Sequence, residues 1–358
     1  MSEILTPRER FGLLVIDEVP DRVPLFPLLT SYAATYSGVP LRDYYTTGET
    51  MARCQLQARE FLQTDFISIF SEVGILAEAL GSEFIYPEDD LPILSRPRWR
   101  TLQEASDHLQ KCSNPDPSSA IRHFPGQTRF RVYLKAIDYA YEAIGDRVPI
   151  LAYIPAPFTT AQQLVEPEAF LLGLLDSPEL ILQLLKYTTE AAISFSRLVI
   201  RAGALPILVD PLASGSVLSP EQYQQFALPS EKMVIDYWHR YDLDVVLHIC
   251  GDTTGIISLM PATGADLVSV DKIDLEQALT AVGEQVRLIG NFDTSDLWLA
   301  TPAVIEEQVE KMVLSGKGCP RGYVAATGCE VPLATPRENL MAFVRAVKRA
   351  GGYDYPKH

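Results

Sequence analysis

The sequence predicts an α/β fold in which eight strands alternate with helices and close into a single (β/α)8 TIM barrel. Short apolar segments rich in β-branched residues recur along the chain, and segments with helical apolar spacing separate them. The predicted strands lie near residues 23, 66, 150, 206, 246, 268, 287 and 324. Such alternation implies parallel strands with right-handed crossovers. An open doubly wound sheet is the alternative, although no Gly-x-Gly-x-x-Gly segment follows the first strand.

The N-terminal third departs from a plain repeat of strand and helix. An N-terminal helical extension is predicted ahead of the first strand, because Phe11, Leu14 and Val15 fall on one helical face. After the second strand, at residues 65–70, a long insertion covers residues 84–130 and contains two turn-rich stretches with several prolines. Long loops in compact domains often carry function, so we expect a lid or docking surface, with a merely connecting segment as the alternative.

From residue 130 onward the alternation is regular. Helices are predicted at residues 134–144, 178–202, 220–239, 302–315 and 336–349. The helix at 220–239 is expected to bend at Pro229, because proline removes a helical hydrogen bond. The chain shows no internal repeat and no low-complexity tract, so residues 1–358 are expected to form one domain.

The composition argues against several classes of protein. The net charge is −16, and phosphate binding requires a basic stripe, so nucleic acid is not an expected partner. The acidic surface either meets a complementary partner or serves solubility alone. No apolar stretch reaches the roughly 18 residues of a membrane helix, and the N-terminus lacks the apolar core of a signal peptide. Five scattered cysteines do not suggest a disulfide framework, so a cytoplasmic location is expected.

Three potential metal ligands follow two of the predicted strands. His248 and Cys250 stand two residues apart at the end of the apolar run 245–249, so strand alternation places both side chains on one side. Cys329 follows a second apolar run at 323–327. In a barrel all strand exits meet at one mouth. One imidazole and two thiols are ligands that zinc takes at a site with an open position. The alternative is a buried histidine beside inert thiols.

The remaining cysteines are expected to be inert. Cys54 falls on a helix face and Cys112 lies near a loop. Cys319 precedes the last predicted strand, which places it at the opposite end of the barrel from the three ligands.

Polar residues at other strand exits complete the predicted site. Glu72 follows the second strand and is a candidate catalytic residue or fourth metal ligand, a role for which Glu78 and Glu330 compete. Asp271, after the sixth strand, is a second candidate catalytic residue. The predicted substrate-binding residues are Asp210, Asn291 and Asp293. For Asp210 and Asp271, helix N-capping is the alternative.

The ligand set indicates the reaction class. Two thiolates leave zinc weakly Lewis acidic, which disfavours hydrolysis by zinc hydroxide. Such a site suits a substrate thiol, because coordination to a metal deprotonates sulfur near neutral pH. A zinc-bound thiolate keeps enough nucleophilicity to attack a carbon electrophile such as a methyl group. The residues therefore predict alkyl transfer.

Nearly the whole chain resembles the uroporphyrinogen decarboxylase superfamily. The matching passages are Arg22-Val-Pro, Phe70-Ser-Glu-Val-Gly, Ala77-Glu-Ala-Leu-Gly81, Pro155-Ala-Pro-Phe-Thr-Thr-Ala161, Asp210-Pro, Gly290-Asn-Phe-Asp293 and Thr335-Pro-Arg-Glu-Asn339. Within that superfamily, the segments 248–251 (His-Ile-Cys-Gly) and 328–332 (Gly-Cys-Glu-Val-Pro) are similar to the methylcobalamin:coenzyme M methyltransferase branch. In that branch a His-x-Cys pair and a later Cys bind zinc, which matches His248, Cys250 and Cys329.

The resemblance implies a zinc-dependent barrel enzyme that takes a methyl group from a methylated corrinoid, either methylcobalamin or a corrinoid protein. The acceptor would be a small thiol such as coenzyme M, or else tetrahydrofolate, for which Asp210, Asp271 and Asn291 would be the pterin contacts. The chain has no Asp-x-His-x-x-Gly segment of the kind that corrinoid carriers use. We therefore expect a corrinoid protein as partner, with the insertion and the acidic surface as its landing site. A corrinoid carrier without catalysis is an alternative of another class.

The decarboxylase is the main rival among enzymes. It resembles this chain in fold but carries an arginine-rich segment after its first strand, which holds the porphyrinogen carboxylates. The corresponding residues 28–36 contain no arginine here. The decarboxylase also has its essential aspartate where this chain has Glu72. Decarboxylation of uroporphyrinogen is therefore kept as the alternative function.

Overall fold

Eight parallel strands form a nearly closed barrel in a computed structural model that describes residues 4–70, 72–111 and 129–355. The strands are β1 (Leu25–Leu28), β2 (Ile67–Ile69), β3 (Glu83–Ile85), β4 (Ile93–Arg96), β5 (Ile150–Pro155), β6 (Leu205–Val209), β7 (Val246–His248), β8 (Leu267–Ser269), β9 (Arg287–Phe292) and β10 (Tyr323–Glu330). Around the barrel their order is β1-β10-β9-β8-β7-β6-β5-β2, while β3 and β4 form a separate antiparallel pair. The predicted TIM-barrel fold is confirmed, with a strand at each of the eight predicted places.

A buried carboxylate joins β1 to the start of β2. The Asp65 backbone N–H donates to the Leu25 carbonyl over 3.0 Å, and the Leu25 N–H donates to the Asp65 carboxylate over 2.6 Å. The same carboxylate accepts from Arg10 over 2.5 Å and from Arg22 over 2.7 Å. All three charged side chains are buried. We call the junction between β1 and β2, the two ends of the strand order, the seam. The Asp65 carboxylate bridges it and is held by two guanidinium groups.

Helices surround the barrel. In the described part of the chain they are Pro7–Val15, Tyr32–Ser37, Leu41–Thr46, Gly48–Leu62, Ile75–Ala79, Leu102–Lys111, Arg129–Ile144, Pro157–Leu164, Pro167–Asp176, Pro178–Arg201, Pro220–Gln222, Leu228–Trp238, Leu275–Val282, Thr294–Leu299, Pro302–Gly316 and Arg337–Ala350. The long predicted helices agree with these bounds to within a few residues. None of these helices combines the length and the apolar character needed to cross a bilayer.

The predicted bend at Pro229 takes the form of a π-helical turn. Residues Tyr223–Ala227 are π-helical between the two α-helical segments, and the Leu228 N–H donates to the Tyr223 carbonyl. Proline has no N–H for the carbonyl four residues earlier, and its ring crowds that carbonyl. The widened turn lies just ahead of Pro229, and its first residue, Tyr223, is buried.

The N-terminal helix Pro7–Val15 fills the bottom of the barrel. It begins with a capping box, because Thr6 accepts from the Glu9 N–H and the Glu9 side chain accepts from the Thr6 N–H. Phe11 and Leu14 pack against the side chains inside the barrel. Arg287 donates to the Leu14 carbonyl over 2.8 Å. A ligand therefore has its route from the other end, the mouth formed by the carboxyl ends of the strands.

The insertion after β2 reaches the mouth. Its described part contains β3, β4 and the helix Leu102–Lys111, and it leads into the helix Arg129–Ile144. Residues 112–128, including Cys112 and one of the two turn-rich stretches, lie outside the described residues. Arg129 contacts Glu72, so a side chain from this region meets a strand exit. The lid or docking role of the insertion stays a prediction.

Candidate metal centre

His248, Cys250 and Cys329 come together at the mouth, although Cys329 lies about eighty residues after the other two in the chain. Their ligand atoms, one ring nitrogen and two sulfurs, all lie within 4.8 Å of one another. A tetrahedral zinc ion with bonds of about 2.0–2.3 Å spaces its ligand atoms roughly 3.3–3.8 Å apart. Only a small contraction separates this cluster from that geometry. The imidazole and the two thiols therefore fit a soft divalent ion.

A hydroxyl group orients the imidazole. His248 stands opposite Ser269 in the parallel pairing of β7 with β8, and its Nδ1 lies 2.9 Å from Ser269 Oγ. The tautomer that donates from Nδ1 leaves the Nε2 lone pair available to a metal. Strand register therefore sets the ring orientation, since it places the two side chains side by side.

Two glycines beside the ligand cysteines approach neighbouring side chains closely. Gly251 has φ +75°, and a Cβ there would lie 2.8 Å from Ser214 Oγ. A Cβ on Gly328 would lie 2.4 Å from Asp271 Oδ1. Any side chain at Gly328 would push Asp271 and the last strand apart, next to Cys329. In both segments, His-x-Cys-Gly and Gly-Cys, the glycine next to a ligand cysteine therefore occupies a place where a side chain would collide with its neighbours.

The two thiols lie close enough to influence each other's pKa. A hydrogen bond from Cys329 lowers the pKa of Cys250 below the usual range of a thiol. The same hydrogen bond and burial raise the pKa of Cys329. A metal ion that binds both sulfurs as thiolates displaces their protons.

Glu330 lies next to this cluster and is held by a strained residue. Its carboxylate accepts from the Thr30 hydroxyl over 2.5 Å. Burial raises the pKa of Glu330, and the neighbouring His248 lowers it. Thr30 has φ +35°, and its carbonyl accepts from Tyr44 over 3.1 Å and Gln55 over 2.7 Å. The surrounding structure thus fixes the hydroxyl that meets Glu330.

Glu72 and Glu78, the other two candidates for a fourth ligand, are engaged with Arg129. The guanidinium bonds to the Glu72 carboxylate and donates from Nε to Glu78 over 2.7 Å. It also stacks 4.8 Å from the Tyr86 ring, while the Tyr86 hydroxyl donates to Glu78 over 2.6 Å. Burial raises the pKa of Glu72 to about 7, against the opposing effect of Arg129. Metal binding by either carboxylate would have to compete with this ion pair.

Three further predicted residues make structural contacts around the mouth. Asp271 accepts from the Gly251 N–H over 2.8 Å, and burial raises its pKa. The Asn291 amide donates to the carbonyls of Asp271 and Ile273 over 2.9 and 2.6 Å. Asp293 caps the helix Thr294–Leu299 through the Ser295 N–H. Asp271 thus tethers the loop beside Cys250, and the predicted catalytic and substrate-binding roles of these three residues stay predictions.

Asp210 is completely buried and belongs to a carboxyl pair. It accepts from the Thr159 N–H over 3.0 Å and from the Thr159 hydroxyl over 2.6 Å. Its second partner is Glu231, which accepts from the Tyr223 hydroxyl over 2.6 Å. Burial raises the pKa of both carboxyls, to about 6 for Asp210. One proton shared between them satisfies the two oxygens that otherwise lack a donor. The Asp210 carboxylate thereby caps the helix Pro157–Leu164, since Thr159 lies in its first turn, whereas the Asp271 carboxylate binds the Gly251 N–H in a loop.

The other described cysteines are remote from this centre. Cys54 is buried on the helix Gly48–Leu62. Cys319 is buried ahead of β10, at the bottom end of the barrel, with its sulfur 3.9 Å from the Val286 carbonyl. Both positions agree with the prediction that these thiols do not bind the metal.

Several residues of the site escaped sequence reasoning. Ser269, Thr30 and Arg129 all contact predicted site residues but show no distinctive motif. Ser269 had one available signal, since it ends a predicted strand adjacent to the strand of His248. Glu231 had another, because an acidic residue on a helix face otherwise apolar is unusual. The contact between Arg129 and Glu72 depends on how the insertion folds back, which no local pattern reveals.

Comparisons with known proteins agree with this fold. The family model described as uroporphyrinogen decarboxylase (URO-D) matches residues 6–350. The methylcobamide:CoM methyltransferase MtaA of Methanosarcina barkeri is 32% identical over 313 residues, 86% of this chain and 87% of that protein. The methylcobamide:CoM methyltransferase MtbA of Methanosarcina mazei is 30% identical over 250 residues, 69% of this chain and 72% of that protein.

A decarboxylase and a solved structure are also similar. The uroporphyrinogen decarboxylase of Prochlorococcus marinus is 28% identical over 302 residues, 82% of this chain and 80% of that protein. A solved structure of a methyltransferase from Methanosarcina mazei has a TM-score of 0.82 and 25% identity, and the match covers 96% of this chain and 99% of that one. The family match extends over nearly the whole barrel, including the segments that carry His248, Cys250 and Cys329. The chain therefore belongs to the uroporphyrinogen decarboxylase (URO-D) family.

Proposed function

We propose that this protein transfers a methyl group from a methylated corrinoid to a small thiol, with a zinc ion held by His248, Cys250 and Cys329. The observation that carries the proposal is the cluster of one imidazole and two thiols at the mouth of the barrel. Relatives that match most of the chain are named for methyl transfer from a methylcobamide to coenzyme M. Coenzyme M, or a thiol of similar size, is therefore the acceptor we favour.

The donor set accounts for the choice of substrate. When bound there, zinc would supply the positive charge that favours the thiolate form of an acceptor. Three protein ligands leave one position open in a tetrahedral site. The acceptor sulfur attacks the methyl carbon in line, an S–C bond forms, and the Co–C bond breaks with its electron pair left on cobalt. The thiol proton passes to solvent.

The chain's own residues prepare this step. Ser269 lies beside His248 Nδ1, which leaves Nε2 of the ring for the metal ion. Asp271 accepts from the Gly251 N–H and so tethers the loop that carries Cys250. Among the three carboxylates considered as a fourth ligand when substrate is absent, we favour Glu330. It follows Cys329 directly in the chain and lies beside His248, whereas Glu72 and Glu78 are engaged by Arg129.

The methyl donor is proposed to arrive from outside the chain. The barrel interior below the metal centre is filled with apolar side chains, so it has no room for a corrin ring. A corrinoid protein, or free methylcobalamin, would have to present its methyl group at the mouth. The insertion after β2 borders that mouth through Arg129, which makes it the part of the surface we expect the partner to meet.

Decarboxylation is less well supported, although a decarboxylase is among the relatives. The segment after β1, residues 28–36, forms the loop and short helix Tyr32–Ser37 beside the mouth and contains no arginine. A porphyrinogen with several carboxylates would meet Thr30, bonded to Glu330, and the Arg337 guanidinium, already held by Tyr36, in place of a run of arginines in this segment.

A spectroscopic assay tests the proposal. The zinc-loaded protein is incubated under anaerobic conditions with methylcobalamin and coenzyme M, and in a parallel sample with tetrahydrofolate. We expect the methylcobalamin spectrum to change to that of cob(I)alamin with the thiol. Cys319→Ser, a change at the opposite end of the barrel, serves as the matched control for Cys250→Ser, which should abolish transfer. Demethylation with tetrahydrofolate but not with coenzyme M would show that tetrahydrofolate is the acceptor. Turnover of uroporphyrinogen without demethylation would overturn the assignment.

A further inference from the structure

A buried tyrosine of the barrel interior stands next to the metal centre without a structural task for its hydroxyl group. Tyr153 lies on β5 with only 4% of its surface exposed, and its ring packs edge to face against Phe70 at 4.9 Å. Alternation along β5 points the side chain into the barrel, where it packs among the interior apolar side chains.

The Tyr153 hydroxyl has no hydrogen-bond partner of normal geometry among the described residues. The Ser68 hydroxyl, also buried, is its polar neighbour, and the ionisable groups whose charges influence it are Glu330 and Cys329. Burial raises the pKa of Tyr153, so the group stays a neutral O–H donor at any physiological pH. Buried hydroxyls are normally paired, because an unpaired one loses its hydrogen bonds to water. This donor is therefore poised for a group that the free protein does not supply.

The missing partner must come from the side of the metal centre. Tyr153, His248 and Ser269 line one small cavity of about 10 Å³ whose other walls are apolar. A cavity of that size holds at most one water molecule, which needs roughly two to four polar partners to be stable. Tyr133 closes the space behind β5, because its hydroxyl donates to the Tyr153 carbonyl over 2.9 Å. Because the cavity borders His248 and Ser269, a ligand at the metal centre would approach the Tyr153 hydroxyl from the mouth above His248.

We propose that Tyr153 is an acceptor-binding residue, which donates a hydrogen bond to the sulfur of the thiol at the metal centre. This inference rests on the proposed function, because it assigns a contact to the proposed acceptor. A thiolate is the anion expected in this place, and a neutral hydroxyl donor stabilises it without adding a charge. Hydrogen bonds to charged groups are stronger than those between neutral groups.

The contact has a distinctive kinetic consequence. A hydrogen bond to the thiolate strengthens binding of the acceptor but also draws electron density from the attacking sulfur. Tyr153→Phe removes only the hydroxyl oxygen, so the thiol should bind about tenfold more weakly. Its methyl transfer at saturating thiol should be as fast as in the wild type or faster. We expect KM for the thiol to rise while kcat does not fall.

Tyr133→Phe is the matched control. Its hydroxyl donates to the carbonyls of Ile69 and Tyr153 over 2.8 and 2.9 Å, so this buried tyrosine has a structural task. Loss of its hydroxyl should lower Tm and leave KM for the thiol unchanged. Tyr153→Phe should not lower Tm, because no hydrogen bond of the free protein is lost. The two variants thus separate a ligand contact from a packing effect.

The experiment measures binding and turnover separately. Wild type, Tyr153→Phe and Tyr133→Phe are loaded with Co²⁺ in place of zinc and titrated with coenzyme M, and binding is followed by the sulfur-to-cobalt absorption band. The zinc forms are assayed with methylcobalamin for KM and kcat. The inference is supported if Tyr153→Phe alone weakens thiol binding about tenfold. It is overturned if wild type and Tyr153→Phe bind the thiol equally, or if Tyr153→Phe lowers Tm as Tyr133→Phe does. A wild type that neither binds the thiol nor transfers methyl would instead overturn the proposed function, and this inference with it.

Discussion

Gly328 shows how a single residue without a side chain supports the metal centre. A Cβ at this position would lie 2.4 Å from Asp271 Oδ1 and 3.0 Å from its Cα. Because Asp271 also holds the Gly251 N–H, the displacement would spread to the loops of both cysteines. We expect Gly328→Ala to weaken zinc binding by about tenfold or more, as the loss of supporting contacts around a metal commonly does.

Competition with a chelating dye measures the zinc affinity of this variant. Gly12→Ala is the matched control, since Gly12 lies in the helix Pro7–Val15 and a Cβ at this position would meet nothing within 4 Å. That change should leave zinc affinity unaltered and slightly stabilise the helix. Equal affinities for wild type and Gly328→Ala would show that the approach of Gly328 to Asp271 is not required.

The buried pair of Asp210 and Glu231 makes stability depend on pH. Burial raises both pKa values above those in the unfolded chain, with Asp210 at about 6. The folded protein therefore retains protons that the unfolded chain has already lost. The contribution of this pair to the free energy of unfolding is greatest at low pH. It falls as pH rises from about 4 through 6 and beyond. For this pair we expect a loss of about 1–3 kcal/mol between pH 5 and pH 8.

Glu231→Gln tests that expectation. The glutamine amide can still donate to Asp210 and accept from Tyr223, so the hydrogen bonds are retained while one titrating group is removed. Urea unfolding at pH 5 and pH 8 should show a smaller loss of stability in the variant than in the wild type. A loss of the same size in both proteins would mean that this pair does not carry the pH dependence.

At the scale of elements, the seam between β1 and β2 is the part of the barrel that depends on charged side chains. Asp65 accepts from Arg10, Arg22 and the Leu25 N–H in a buried setting. Asp65→Asn removes the negative charge that two buried guanidinium groups share. We expect a loss of unfolding free energy of about 3 kcal/mol or more, because the two buried guanidinium groups lose the carboxylate that they share.

An exposed ion pair gives the contrast for that prediction. Arg96 and Glu83 pair at the surface between β3 and β4, with more than half of each side chain exposed. Arg96→Ala should cost less than about 1 kcal/mol, because solvent screens such pairs. Chemical unfolding measures the free energy of unfolding of both variants. A loss in Asp65→Asn no larger than that in Arg96→Ala would contradict the stabilising role of Asp65.

The elements also show how far sequence reasoning reaches. Each of the eight strands is an apolar segment whose neighbours are marked by turn residues, so local pattern was enough to place it. The π-helical turn was only partly predictable, since Pro229 signals a disturbance but not its form. The seam was not predictable at all. It depends on Asp65 meeting two arginines of the N-terminal region, and no local pattern encodes such contacts.

At the scale of the whole molecule, barrel topology converts sequence distance into proximity at the site. His248, Cys250 and Cys329 were predicted to meet because parallel strands of a barrel end at one rim, and the structure brings their ligand atoms within 4.8 Å. The same argument placed Glu72 at the rim but could not foresee that Arg129 would bind it. Position at the rim follows from strand order, whereas pairing among rim side chains follows from loops that have no periodic pattern.

The metal content of cysteine variants tests the central claim most directly. Cys250→Ser and Cys329→Ser each remove one of three soft ligands, while Cys54→Ser and Cys319→Ser remove buried thiols elsewhere. For the purified proteins we expect about one zinc per chain in wild type, Cys54→Ser and Cys319→Ser. Both ligand variants should lose it. A wild type without zinc after zinc loading, or full zinc content in both Cys250→Ser and Cys329→Ser, would contradict the proposed metal centre and with it the activation of a thiol acceptor.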